Sequence, residues 1–348
     1  MITMAILETL KPQFHVNIPP FASSKYIHFL MLRHSQSFPV FQTDGILNTT
    51  RTQAGLNTSD FIARIVMFKR KQVSPERLIG RELLRSINLI DGEDKKADNF
   101  CRYGGEQFCG KCPDCVIYGF AVGDSGSERS KVYSDSAFSL TPYQDSRKSF
   151  SFNALGEAGT MILDYDDPKR SEDKKTRTSI NEQEHILPEI VFPTVETLRD
   201  PTFEGFIYVL GNLLRTRRYG AQESRTGKMT NHILGIAFCD GEIFSNLHFT
   251  QAIYDQLKPD INAPISDILT KATEVADHLI KKEPVRKSQV ILRPQLDELL
   301  TEVSAIYQDE TRLRETLTTL YQQTKSYAET YGALTTKEKG KNKGKSSS

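Results

Sequence analysis

Four of the five cysteines, Cys101, Cys109, Cys112 and Cys115, fall within fifteen residues in a C-x7-C-x2-C-x2-C pattern. Thiolates spaced two residues apart can face one ion, and a tetrahedral zinc takes four sulfurs at roughly 2.3 Å. Paired disulfides are the other use of such a set. Met1–Lys11 lacks the apolar run of a secretory signal, so a reducing, cytoplasmic compartment is expected and the metal reading is preferred. Four thiolates close the coordination shell and leave no position for water, so the expected role of Zn2+ is structural. Cations supply the second chemistry. Lys69, Arg70 and Lys71 precede Arg77, Arg81 and Arg85, which recur at helical spacing on one face. Later come Arg217, Arg218, Arg225 and Lys228 in a glycine-bounded loop, with Tyr219 available to stack on a base.

The elements needed to position these groups can be read in outline. The net charge is +1, with 38% hydrophobic and 26% charged residues, so no global field draws in a polyanion. The cations are segregated instead, which suggests a localised anionic partner such as nucleic acid. No apolar run approaches the length of a membrane span. Tyr26–Leu32 is a continuous apolar run suited to a central, doubly covered strand. Residues 45–57 read as a polar loop carrying Arg51, and Phe61–Phe68 as a strand. Ser74-Pro75 predicts a helix start, with Ile79, Leu83, Leu84 and Ile87 as its buried stripe; Lys69–Lys71 form the basic loop before it. Val116–Val122, Lys131–Leu140 and Ile186–Leu198 read as strands, and Cys239 as a buried thiol. Asp200-Pro201 predicts the start of a second helix with apolar residues from Phe203 to Leu214, followed by a strand at His232–Phe238. Beyond Pro259 the chain reads as mostly helical, its stripe from Leu296 to Leu320 fitting either the chain's own core or another subunit.

Two imitations of catalytic motifs fail. Gly123-Asp-Ser-Gly126 resembles a serine-protease nucleophile loop, but the surroundings of His34 and Asp60 do not fit that chemistry, and a polar turn is expected. Gly220 to Gly227-Lys228 has six intervening residues where a Walker loop needs four, and Met229 stands at the Ser/Thr position. Strand–helix–strand, an insertion, then strand–helix–strand is the order of an α+β ferredoxin-like split βαβ sheet.

Pro75-Glu-Arg-Leu78-Ile-Gly80-Arg81-Glu-Leu-Leu-Arg85 resembles the helix signature of the CRISPR-associated RAMP superfamily, and Cys112-Pro-Asp-Cys115-Val-Ile-Tyr118-Gly119 resembles its cysteine motif. Across residues 25–245 the order of segments is similar to that of the crRNA-binding backbone subunits of type I-D Cascade. The resemblance implies an RRM-like palm from residues 1–90, 123–141 and 185–246, and a zinc-binding insertion at 91–122. It also implies a thumb at 142–184. From the residues themselves, 247–334 read as a helical region and 335–348, Lys, Gly and Ser with almost nothing apolar, as a disordered tail. The implied function is a non-catalytic subunit whose copies stack along a crRNA in a helical filament, beside other Cascade subunits, and present it to target DNA or RNA. Arg51, Lys69, Arg70, Lys71, Arg77, Arg81, Arg85, Arg217, Arg218, Tyr219, Arg225 and Lys228 would line the guide. Asp44 is the nearest counterpart to the cleaving aspartate of some relatives; a metal-dependent ribonuclease and a zinc-stapled interaction module are the alternatives.

Overall fold

The computed structural model describes residues 5–332, except 44, 105–106, 124–125, 153–180, 221–224 and 259. Asp44, Ser125, the tail and most of the expected thumb lie outside the described residues.

The chain opens with α1 (Ile6–Leu10), then the long β1 (Tyr26–Ser35). Two short strands follow, β2 (Gln42–Thr43) and β3 (Ile46–Leu47), and then the hairpin β4 (Thr49–Gln53) and β5 (Phe61–Met67). After α2 (Lys69–Ser86) come β6 (Phe120–Val122), β7 (Gly126–Glu128), β8 (Val132–Ser134) and β9 (Ala137–Phe138). The arm strands β10 (Arg147–Phe152) and β11 (Asn181–Ile186) lead to β12 (Val191–Arg199), α3 (Phe203–Arg215) and β13 (Met229–Cys239). The last part holds α4 (Asn246–Leu257), α5 (Ile265–Lys282), β14 (Lys287–Ile291), α6 (Gln295–Gln308) and α7 (Glu310–Tyr331). None of the helices among the described residues is long and apolar enough to cross a membrane.

The main sheet runs β14-β13-β1-β12-β8, and every neighbouring pair is antiparallel. Its apolar character follows from being covered on both faces. Ile27, Phe29 and Met31 of β1 pack with Leu83 and Leu84 of α2 and Phe206 and Leu210 of α3. Leu30 and Leu32 look the other way, onto Phe249 and Ile253 of α4 and Ile268 and Ala272 of α5. The stripe of α6 and α7, Leu296, Leu299, Val303, Ile306, Leu313, Leu317 and Leu320, is buried in the α2–α3 layer. It therefore packs on the chain's own core.

Several local expectations are corrected. The hairpin β4–β5 replaces the polar loop, with Arg51 opposite Ala63, and β5 joins β4 and β9 outside the main sheet. Of the strand expected at Val116–Val122 only Phe120–Val122 forms; Asp114–Tyr118 is a helical turn, because two cysteines must turn their sulfurs to one point. Residues 131–140 split into β8 and β9, and the run from Ile186 divides between the arm and β12. Thr202, rather than Asp200, caps α3 by accepting from Gly205 N at 3.2 Å. Asp200 instead accepts from the hydroxyl of Ser23 at 2.6 Å.

The buried His28 accounts for one pH effect. Its Nε2–H donates to Gly241 O at 3.0 Å and its Nδ1 lies 2.8 Å from the Thr197 hydroxyl. Burial lowers its pKa to about 4, so the unfolded chain protonates first as pH falls. Stability is complete above the usual imidazole range and declines through the window down to about pH 4. The loss from this group should reach about 3 kcal/mol. Urea denaturation across that range checks it; His28→Gln should flatten the decline, and an unchanged decline would assign it elsewhere.

Candidate nucleic-acid interface and cysteine centre

Helix α2 begins at Lys69, so the expected basic loop is its first turn and Pro75 lies inside it. A proline there has no N–H for the carbonyl four residues back. That carbonyl, on Lys71, faces Gly220 N at 3.4 Å, a long bond that ties the second basic loop to the helix start. Gly227 N donates to Phe38 O at 3.0 Å, Gln36 N to Lys228 O at 2.9 Å, and Val40 N to the Thr226 hydroxyl at 3.1 Å. Gly220 has φ +105°, and a Cβ there would sit 2.6 Å from Val40 O. The left-handed backbone and the close approach both require glycine. The structure thus brings the start of α2 and the second basic loop together, through the Gly220–Lys71 backbone bond and the bond from the Tyr219 hydroxyl to Glu76 at 2.9 Å.

Their side chains divide into two groups. Lys69, Arg70, Arg217, Arg218, Arg225 and Lys228 are exposed. Arg217 donates to the Thr230 hydroxyl at 3.3 Å and Arg218 to Thr226 O at 2.5 Å. Arg85 and Arg51 are also exposed but lie apart from this group. Arg85 is at the far end of α2, about 24 Å from Lys69 by helical rise. Arg51 stacks over the Phe61 ring at 5.2 Å, toward the distal end of its hairpin.

Four residues assigned to the guide from sequence are corrected to internal roles. Lys71 is 7% exposed and its ammonium donates to Gln42 O at 2.6 Å. Arg77 is 8% exposed and Arg81 is fully buried. Arg77 grips Asp114 through Nε and Nη2, both at 2.8 Å, and Arg81 Nη1 reaches the same carboxylate at 2.6 Å. Burial opposes the Arg81 cation, but Asp114 and the Cys101 sulfur outweigh it and raise its pKa. The basic row does share one face, and that face is turned onto the cysteine segment. Tyr219 is buried and cannot stack on a base. Its hydroxyl donates to Glu76 at 2.9 Å and accepts from Asn231 at 2.6 Å and from Arg33 at 2.6 Å.

Arg33 centres a network that sequence reading missed. It bonds Glu76 of α2 at 2.6 Å and Glu196 of β12 at 3.0 Å, all with buried side chains. Burial and then the Glu76 carboxylate push the Glu196 acid well up. The network fixes β1, α2, β12 and the start of the second basic loop in one arrangement. An Arg ending an apolar strand is the available sequence signal; its carboxylate partners are too distant in sequence to be named.

At the cysteines, Cys101 Sγ lies 3.8 Å from Cys112 Sγ and 3.6 Å from Cys115 Sγ, and Cys109 Sγ lies 3.9 Å from Cys115 Sγ. A tetrahedral ion with metal–sulfur bonds of roughly 2.3 Å separates its sulfurs by about 3.8 Å. All four sulfurs lie within 4.8 Å of one another and none is in a disulfide, so this group could hold a metal ion. Backbone N–H groups of Lys111 and Cys112 point at Cys109 Sγ at 3.5 and 3.3 Å. Hydrogen bonds from the other three cysteines, then Arg81, hold Cys101 well below the usual thiol range, while burial pushes Cys112 up. Bringing all four to the thiolate state at this spacing needs a cation. The cluster is clamped to α2 by Arg77 and Arg81, and Gly80 lets the α2 backbone meet α3. A Cβ at Gly80 would fall 2.4 Å from the Tyr208 hydroxyl and 2.5 Å from Asn212 Nδ2.

The architecture is shared with a solved protein. The crystal structure of Thermofilum pendens Csc2 aligns with TM-score 0.58 at 15% identity, covering 92% of this chain and 95% of that one. A chain from a CRISPR RNA-guided surveillance complex aligns at TM-score 0.44 and 10% identity, over 75% of this chain and 86% of that one. No curated protein matches. The chain belongs to the Csc2 CRISPR family, which it matches over residues 13–317.

Proposed function

We propose that this chain is a non-catalytic, crRNA-binding backbone subunit of a type I-D Cascade complex. Copies would stack along the guide in a helical filament with other Cascade subunits and present it to invading DNA or RNA. Family membership together with the backbone-tied pair of exposed basic stretches carries this reading. The element order β1, α2, β8, β12, α3, β13 and the sheet order β13-β1-β12-β8 support a ferredoxin-like, RRM-like palm. Residues 142–184 would be the thumb and 91–122 the zinc-stapled insertion. A subunit holding a guide along its length should contact phosphates and leave base edges free, so sequence reading belongs to the RNA. The proposed guide surface is Lys69, Arg70, Arg217, Arg218, Arg225 and Lys228, with Arg51 and Arg85 as outlying contacts.

The test is the salt dependence of binding to a single-stranded guide RNA. Affinity should fall steeply and log-linearly as salt rises, and a flat dependence would contradict the reading. For the cysteine centre, one zinc ion per chain is expected by metal analysis. The ion should be absent from a Cys112→Ser/Cys115→Ser variant, and unchanged stoichiometry there would remove these residues as ligands.

A further inference from the structure

At the end of β1 and β13 nearest the second basic loop, two imidazoles face each other. His34 Nδ1 lies 3.3 Å from His232 Nε2, with ring centroids 5.4 Å apart. In the ladder His34 sits opposite Thr230, the residue whose hydroxyl accepts from Arg217. His34 is 8% exposed and its Nε2 has no hydrogen-bond partner, whereas His232 is only half-buried. Among the described residues no carboxylate pairs with Arg217, which is exposed beside the pair.

We propose that His34, His232 and Arg217 form a site for one phosphodiester of the bound strand, and that filling it takes up a proton. This deepens the guide-binding reading and rests on it. In the neutral pair one ring donates its only shared proton to the other. The neutral pair carries two ring protons, one in the shared N–H···N bond and one on either His34 Nε2 or His232 Nδ1. A third proton fills the remaining outer nitrogen, so that His232 Nδ1 is then always a donor and the charge is spread over both rings.

The surrounding charges set the direction. Burial holds both imidazoles below their usual range; His34, Arg293 and Arg217 add to this at His232, and Glu189 opposes it at His34. Arg293 is itself paired with Asp297 at 3.0 Å. The empty pair is therefore neutral at physiological pH. An anion beside Arg217 cancels the repulsion and stabilises the protonated pair, so phosphate and proton bind cooperatively.

Binding of a single-stranded RNA oligonucleotide is measured at constant ionic strength between pH 8 and pH 6, with thermal melts confirming that each protein stays folded. Wild-type affinity should rise about tenfold across this range, an average of about half a proton taken up, because the pair titrates within it; one full proton throughout would give about a hundredfold. His232→Gln and His34→Asn should bind without pH dependence and keep the salt dependence of a strand held at the other phosphates. Imidazole 15N shifts of the wild-type protein should show the pair's titration moving upward when RNA is added. Salt-steep but pH-independent wild-type binding, or a pH rise that survives both substitutions, would overturn the site while leaving guide binding in place. Absence of salt-dependent binding would overturn both.

Discussion

Asp114→Ala should destabilise the protein by about 3–5 kcal/mol, the usual cost of stripping the partner from a buried ion pair. The carboxylate receives three short hydrogen bonds, from Arg77 Nε, Arg77 Nη2 and Arg81 Nη1. Its loss leaves the fully buried Arg81 facing only the Cys101 carbonyl at 2.7 Å and the Cys101 sulfur at 3.4 Å. Arg77 would keep the Gly119 carbonyl at 2.9 Å. Two guanidinium groups without a carboxylate in a dry interior are the situation in which electrostatic penalties are largest. Arg77→Ala should cost less than Arg81→Ala, since Arg77 is closer to solvent. Urea denaturation at neutral pH measures all three; a loss below about 1 kcal/mol for Asp114→Ala would show that water reaches the pair.

Removing Lys69, Arg70, Arg217 and Lys228 together should leave stability within about 0.5 kcal/mol, because all four are exposed. Guide binding should change greatly. Each phosphate contact on a single strand contributes a slope of about 0.7 in log affinity against log salt, so four lost contacts should flatten the slope by about 3. Near physiological salt the affinity should drop by orders of magnitude, uniformly across sequences, since phosphate contacts carry no base information. A control with Lys281 and Lys325 replaced should keep the full slope; Lys281 is exposed, Lys325 half-exposed, and they are paired with Asp277 and Glu329. Were the four-residue variant to bind like wild type, these cations would be only a solvated face.

These two experiments separate residues that look alike in the sequence. The apolar run in β1, the apolar stripe of α3, Leu83, Leu84 and Ile87 of the α2 stripe, and the fifth, buried cysteine were legible, because burial imposes a local pattern; Ile79, expected in the same stripe, is only half-buried. The cysteine spacing likewise pointed to sulfurs that do converge. Periodicity placed Arg77 and Arg81 on one face, but it cannot say what covers a face. Their partner lies 37 and 33 residues away in sequence and sits between two of the cysteines. An acid embedded in a cysteine motif, with helical arginines upstream, is the signal that could have found it. Ser74-Pro75 imitates a first turn, yet α2 starts at Lys69. The proline is tolerated further in because the Lys71 carbonyl it abandons turns to Gly220. Arg33, just past the apolar run Tyr26–Leu32, has the look of a strand end, yet β1 continues to Ser35, since Glu76 and Glu196 receive the charge inside the fold.

Legibility failed most at the interface, where an exposed cation and an internally paired one share a composition. Lys69 and Lys71 are two residues apart, yet one faces solvent and the other is buried against the Gln42 carbonyl. Burial also reverses Tyr219, whose ring reads as a stacking surface but whose hydroxyl closes the Arg33 network.

The central claim is that the first turn of α2 and the loop from Arg217 to Lys228 form a single track for one sugar–phosphate strand. Photo-crosslinking from a guide RNA carrying one photoreactive nucleotide, moved stepwise along the strand, tests this directly. Adjacent nucleotide positions should cross-link first to the peptide containing Lys69 and Arg70 and then to the one containing Arg217 and Arg218. Cross-links confined to one peptide at every position, with the other never labelled, would contradict it.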